Sequence, residues 1–138
     1  MKPYFLVKIT NNLSGRNSFF LALAVFWTLL IAVLCLISFN KMPSVGIKSA
    51  DKYVHSIFHF VFTILWFLGL YQNAPFKKSL LKVTTFSICY GILIEILQGL
   101  LTTTRKADVY DVMANTTGAI LGVLALYLYS NYFKKKPL

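Results

Sequence analysis

Apolar residues collect into four runs along the chain, 19–39, 55–71, 83–101 and 112–132, separated by short polar connections. Each run approaches the ~20 residues that an α-helix needs to cross the hydrocarbon core of a bilayer. The first lies between Arg16 and Lys41, and the second opens on His55 and His59 and is apolar from Phe60 onward. Gln72-Asn73-Ala74-Pro75 closes the second run, because Pro75 and the polar residues before it break the helical pattern. Lys134-Lys135-Lys136 follows the fourth. A signal peptide is a poorer reading of the first run, which exceeds a normal h-region and has no small-x-small cleavage site before Asn40-Lys41-Met42-Pro43. The pattern predicts an all-α integral membrane protein, a four-helix transmembrane bundle forming a single domain over 1–138, with no internal repeat.

Composition narrows the class. The 138 residues are 57% hydrophobic and 13% charged with a mean hydropathy of +0.67, against about 25% charged in soluble domains. Four spans use on the order of 80 positions, which leaves no room for a separate catalytic domain. Nucleotide-binding, doubly wound and large-pocket soluble enzyme architectures are thereby excluded. The net charge of +10 comes from fourteen Lys and Arg against Asp51, Glu95, Asp108 and Asp111. In a soluble chain such an excess points to nucleic acid; here the cations flank apolar runs, and no nucleic acid partner is expected.

The cations act first as topology signals. Lys2, Lys8, Arg16, Lys77, Lys78, Lys82, Lys134, Lys135 and Lys136 fall on one side, and Lys41, Lys48, Lys52, Arg105 and Lys106 on the other. Nine against five predicts cytoplasmic N and C termini and external loops around Lys48 and Arg105. Cys35 and Cys89 sit inside apolar runs without CxxC or His-paired spacing, so they read as small packing residues, and neither a metal site nor a cofactor is expected.

With that topology the costly polar residues share one depth. Asp51, His55 and His59 are four apart and fall on one helical stripe; Gly91, Glu95 and Gln98 form another, and Asp108, Asp111 and Asn115 a third. Glu95 lies thirteen residues into its run, where a carboxylate costs about 2.5–3.5 kcal/mol on insertion scales and normally faces a bundle interior with a partner. Plainer readings stand beside this one. Asp51, Asp108 and Asp111 also suit helix caps or first-turn positions, His59 suits a hydrogen bond to a neighbouring helix, and Glu95 suits a buried pair with Arg105. Gly118 and Gly122, four apart on the Asn115 stripe, mark close helix packing.

Asp51-Lys52-x-x-His55, then Gly91-Ile92-Leu93-Ile94-Glu95-Ile96-Leu97-Gln98, then Arg105-x-x-Asp108-x-x-Asp111-x-x-x-Asn115-x-x-Gly118-x-x-x-Gly122, resembles the VanZ-like family of small bacterial membrane proteins. The founding member of that family is linked to resistance to teicoplanin-type glycopeptides. The resemblance implies a multi-pass protein of the bacterial cytoplasmic membrane and carries the family's signature positions to Asp51, Lys52, His55, Glu95, Gln98, Arg105, Asp108, Asp111, Asn115 and Gly118. His59 stands where an aromatic is more usual, and Thr102-Thr103-Thr104 replaces a Pro/Gly-containing turn. No settled activity comes with the family.

Three function classes remain. The first is a ligand site formed by Asp51, Lys52, His55, Glu95, Gln98, Arg105, Asp108, Asp111 and Asn115 for the anionic or zwitterionic head group of an envelope lipid or lipid-linked cell-wall precursor. There Arg105, Lys106 and Lys52 would meet phosphate or carboxylate oxygens. Such a site would affect glycopeptide or lipopeptide susceptibility. The second is an intramembrane enzyme acting on a lipid-linked substrate, with His55 and either Glu95 or Asp111 as an acid/base pair, with or without a metal, although no nucleophile motif accompanies them. The third is a structural subunit that joins membrane protein partners.

Overall fold

The computed structural model describes residues 3–37, 50–71, 75–102 and 106–134. It contains four helices, α1 (Pro3–Leu36), α2 (Ala50–Leu70), α3 (Phe76–Leu101) and α4 (Val109–Lys134), with no strand among the described residues. Each carries a stretch long and apolar enough to cross a membrane: Gly15–Leu36, Ala50–Leu70, Phe76–Leu101 and Val109–Tyr132. At 1.5 Å per residue α2 is about 31 Å long, close to the ~30 Å hydrocarbon thickness, whereas α3 at about 39 Å must tilt or project. The chain is a multi-pass membrane protein.

The helices start earlier than the apolar runs. The second begins at Ala50 rather than 55, the third at Phe76 rather than 83, and the fourth at Val109 rather than 112. Lys and Glu are good helix formers, so Lys77, Lys78 and Lys82 extend α3 toward the interface, where long cationic side chains keep their charge in water. An apolar run marks how much helix lipid can cover. It does not mark where the helix begins.

Helices consecutive in the chain run antiparallel, so α1 and α3 run parallel, as do α2 and α4. Leu21 near the start of the first span packs on Gly69 at the end of α2, and the Gln98 amide near the end of α3 reaches the Cys35 carbonyl near the end of α1. Among the described residues α2 and α3 each touch both outer helices, while α1 and α4 do not touch each other. The tightest approach is α2 on α4, and glycine explains it. A Cβ at Gly118 would collide with the backbone of Ser56, and one at Gly122 would lie 3.0 Å from the Phe60 carbonyl. Without side chains at these two positions the backbones can close, as small residues allow in membrane bundles.

The apolar interior is aromatic. Phe62 is fully buried and stacks on Tyr90 at 5.1 Å, and Ile31, Cys35 and Ile94 complete that cluster. Polar tips in this region are paired. Trp27 Nε1 donates to the Phe58 carbonyl at 3.0 Å, Trp66 Nε1 to Thr28 Oγ1 at 3.0 Å, and the Tyr90 hydroxyl to the Thr28 carbonyl at 2.6 Å. Buried indole and phenol groups need such partners where water is absent. Phe26, Leu29, Leu93, Leu124 and Leu128 point outward, as expected of a lipid-facing surface. Cys35 is buried as expected, but Cys89 is exposed, so its expected packing role is corrected. An apolar run shows that a residue lies in the membrane, not which way it faces.

Candidate functional site

One end of the bundle gathers the polar residues: the start of α2, the end of α3 and the start of α4. Asp51 and Lys52 lie in the first turn of α2, and Asp111 in the first turn of α4. Two helix N-termini thus meet at this end, and their partial positive charge favours the three carboxylates beside them. Asp108 immediately precedes α4, and its Oδ1 accepts the Tyr110 backbone N–H at 2.8 Å while its carbonyl accepts those of Asp111 and Val112. It is therefore a helix cap. It is also an ion-pair partner, because its Oδ2 accepts Lys52 Nζ at 2.9 Å. The cap expected of Asp108 is made by one oxygen, and the other makes the ion pair.

Lys52 also reaches Asp111 Oδ1 at 2.8 Å, which links α2 to α4 at the polar end of the bundle. The Tyr110 ring lies 5.5 Å from the same ammonium. Together the Lys52 ammonium and the Tyr110 N–H hold the Asp108 carboxyl below its ordinary range, the Lys52 hydrogen bond being the larger cause. Asp108 and Lys52 are partly exposed, whereas Asp111 is buried.

Beneath this rim lies a buried layer. The His55 Nδ1 faces Asn115 Oδ1 at 3.1 Å and Glu95 Oε1 at 3.5 Å, and its Nε2 stands 3.9 Å from Asp51 Oδ1. Glu95 Oε2 accepts the Asp108 backbone N–H at 3.5 Å. Glu95 Oε1 and Asn115 Nδ2 have no hydrogen-bond partner among the described residues, although both are fully buried. Gly91 makes this layer possible, since a Cβ there would stand 3.0 Å from Asn115 and 3.1 Å from His59.

Asp51, Lys52, His55, Glu95, Asp108, Asp111 and Asn115 are thus brought together. Gln98 belongs elsewhere: its amide donates to the Cys35 carbonyl at 2.9 Å and ties α3 to α1. Arg105 lies outside the described residues, and with it the expected Glu95–Arg105 pair. His59 Nδ1 pairs with Ser87 Oγ at 2.9 Å, the interhelical bond expected as its plainer role. Ser87 did not enter the sequence reading, although it continues the Gly91–Glu95 stripe one turn back and is fully buried. That extended spacing was the available signal.

The sequence profile of the VanZ/LLP1 family matches residues 7–130, nearly the whole chain and the full polar cluster. The chain belongs to the VanZ/LLP1 family. No curated protein and no solved structure matches it. In this VanZ-family protein the signature positions seen in sequence are therefore spatial neighbours, apart from Gln98 and the undescribed Arg105.

Proposed function

We propose that this VanZ-family protein binds the phosphate-bearing head group of an envelope lipid or lipid-linked cell-wall precursor at the polar end of its bundle. The supporting observation is a polar path from partly exposed Asp51, Lys52 and Asp108 down to buried His55, Glu95 and Asn115, with unsatisfied hydrogen-bonding atoms at its foot. Unsatisfied buried polar groups are costly, by about 1–3 kcal/mol each, so a fold that leaves two of them in the layer around His55 suits a ligand that completes them. The cation count supports an outward-facing site in the bacterial cytoplasmic membrane.

Charge narrows the ligand. Four carboxylates, Asp51, Glu95, Asp108 and Asp111, stand here against Lys52 and Lys106 among the described residues. A phosphate does not enter such a site alone; positive charge must accompany it, as the ammonium of a zwitterionic head group or as a bound cation. Lys52, Lys106 and the two helix N-termini suit the phosphate, and the carboxylates suit the cationic part. Binding of this kind accounts for an effect on glycopeptide or lipopeptide susceptibility through the lipid-linked target.

The test compares wild type with Glu95→Gln, which keeps size and removes charge. Phospholipids and lipid-linked precursors co-purifying with each are measured by mass spectrometry, together with membrane abundance and glycopeptide sensitivity. The reading predicts enrichment of one head-group class over bulk membrane by wild type, and its loss in Glu95→Gln at near-equal abundance. Wild type carrying lipid in bulk proportions refutes it.

A further inference from the structure

Ligand-type atoms from two helices converge at the polar end. One oxygen each from Asp51 and Asp111 and a ring nitrogen of His55 all lie within 4.8 Å of one another. Asp51 and His55 are one turn apart on α2, and the close α2–α4 packing at Gly118 brings Asp111 to them. No contiguous spacing announces this set, because its members are four and then fifty-six residues apart.

The ring of His55 decides what the convergence means. Its Nδ1 faces two oxygens, Asn115 Oδ1 and Glu95 Oε1, so the ring proton is assigned to Nδ1. Nε2 then carries a lone pair on the side of Asp51. An imidazole nitrogen and two carboxylate oxygens from separate helices, turned toward one point, form a donor set that suits a divalent cation. Lys52 supplies one positive charge, and it is engaged by Asp108 and Asp111. A carboxylate has about four lone-pair positions, so Asp111 can accept Lys52 and still serve a second cation.

Glu95 is an independent pointer. It is only 2% exposed, its Oε1 has no hydrogen-bond partner among the described residues, and it is aimed at the Nδ1 side of this same ring. Metal-bound imidazoles characteristically donate their other N–H to a carboxylate, which fixes the tautomer and raises ligand basicity. A metal on Nε2 makes Nδ1–H a stronger donor and gives the orphaned Oε1 its partner.

We propose that Asp51, His55 and Asp111 bind a first-row divalent metal ion, with Glu95 and Asn115 holding the imidazole from behind. One nitrogen and two oxygens suit Zn²⁺ or Mn²⁺ better than Ca²⁺, since imidazole favours the transition ions. Metal–donor bonds of about 2.0–2.2 Å put adjacent donors roughly 3–3.5 Å apart, so the side chains close on the ion by on the order of 1 Å. Three protein ligands leave a coordination position open, which a water or a phosphate oxygen can fill. The ion site stands on these contacts whether or not a head group binds.

The experiment uses tag-free full-length protein in maltoside micelles, with no phosphate head group present, so its outcome is separate from that of the lipid test. Protein is equilibrated with Zn²⁺ or Mn²⁺, desalted and assayed by mass spectrometry for bound metal, and affinity is measured by calorimetry. Wild type is expected to hold one ion per chain. Asp51→Asn and His55→Gln should each weaken binding by about 100-fold or more, and Glu95→Gln by about 10–100-fold. His59→Gln, which alters the His59–Ser87 bond outside the ligand set, should retain wild-type affinity. Asp51 is exposed, so Asp51→Asn keeps its helicity and remains informative if a buried variant misfolds. Wild type retaining less than about a tenth of an ion per chain, or an affinity unchanged in folded Asp51→Asn, overturns the proposal.

Discussion

Single residues in this protein carry two tasks at once, and Asp108 is the clearest case. One oxygen caps α4 and the other holds Lys52. Both contacts require the carboxylate form, which is why its carboxyl sits below the ordinary range. A depressed folded-state value gives stability that is fully present above the unfolded-state value and is lost as pH falls through the folded one. The melting temperature in micelles should therefore hold level from neutral pH to about 4 and decline below it. In Asp108→Asn the plateau should be lower and this contribution to the acid decline absent. Because Asp108 is solvent-accessible, the difference should shrink with added salt. Equal acid sensitivity of both proteins would show that other carboxylates set the limit.

At the scale of the helices, α2 and α4 depend on absent side chains. Lipid supplies no hydrophobic drive for two apolar helices to associate, so close packing must do it. Gly118 meets Ser56 backbone, which cannot rotate away as a side-chain tip could. Replacing Gly118 by Leu should separate the helices and cost about 1–3 kcal/mol or more, as overpacking does. It should also disturb the Lys52–Asp111 contact, which depends on the same approach. Gly15→Ala is the matched control, because nothing lies within 4 Å of its added Cβ. Thermal unfolding of both in one detergent reads the difference, and a Gly118→Leu protein as stable as Gly15→Ala would refute the packing account.

The whole molecule is polarised. One end holds the carboxylate, imidazole and ammonium cluster; near the other, Arg16, Asn17, Phe20, Leu68, Tyr71 and Tyr129 line a cavity of about 590 Å³ in the gap where α1 and α4 do not meet. The cation count of nine against five predicts that the polar end faces the outside. A cysteine at exposed Lys106, in a background lacking Cys35 and Cys89, should react with a membrane-impermeant maleimide in intact cells, and one at Lys78 only after permeabilisation. The opposite pattern would invert the topology and place the cluster on the cytoplasmic side.

How much of this was readable from the sequence follows from what each kind of signal encodes. Run length and hydropathy set the number of spans, because the bilayer thickness is the same for any chain. Helical periodicity placed Asp51 with His55, Glu95 with Gln98, and Asp111 with Asn115, since spacing along one helix fixes a shared face. Periodicity says nothing of how two helices are rotated or how closely they approach. Only the packed bundle decided that Lys52 chooses Asp108 and Asp111, that Gln98 turns to the Cys35 carbonyl while Glu95 three residues earlier turns to His55, and that Cys89 faces outward. The contact of Gly118 with Ser56 is the physical reason for the Lys52 pairs, because it sets the distance between α2 and α4; the rotation of α3 against its neighbours decides the others.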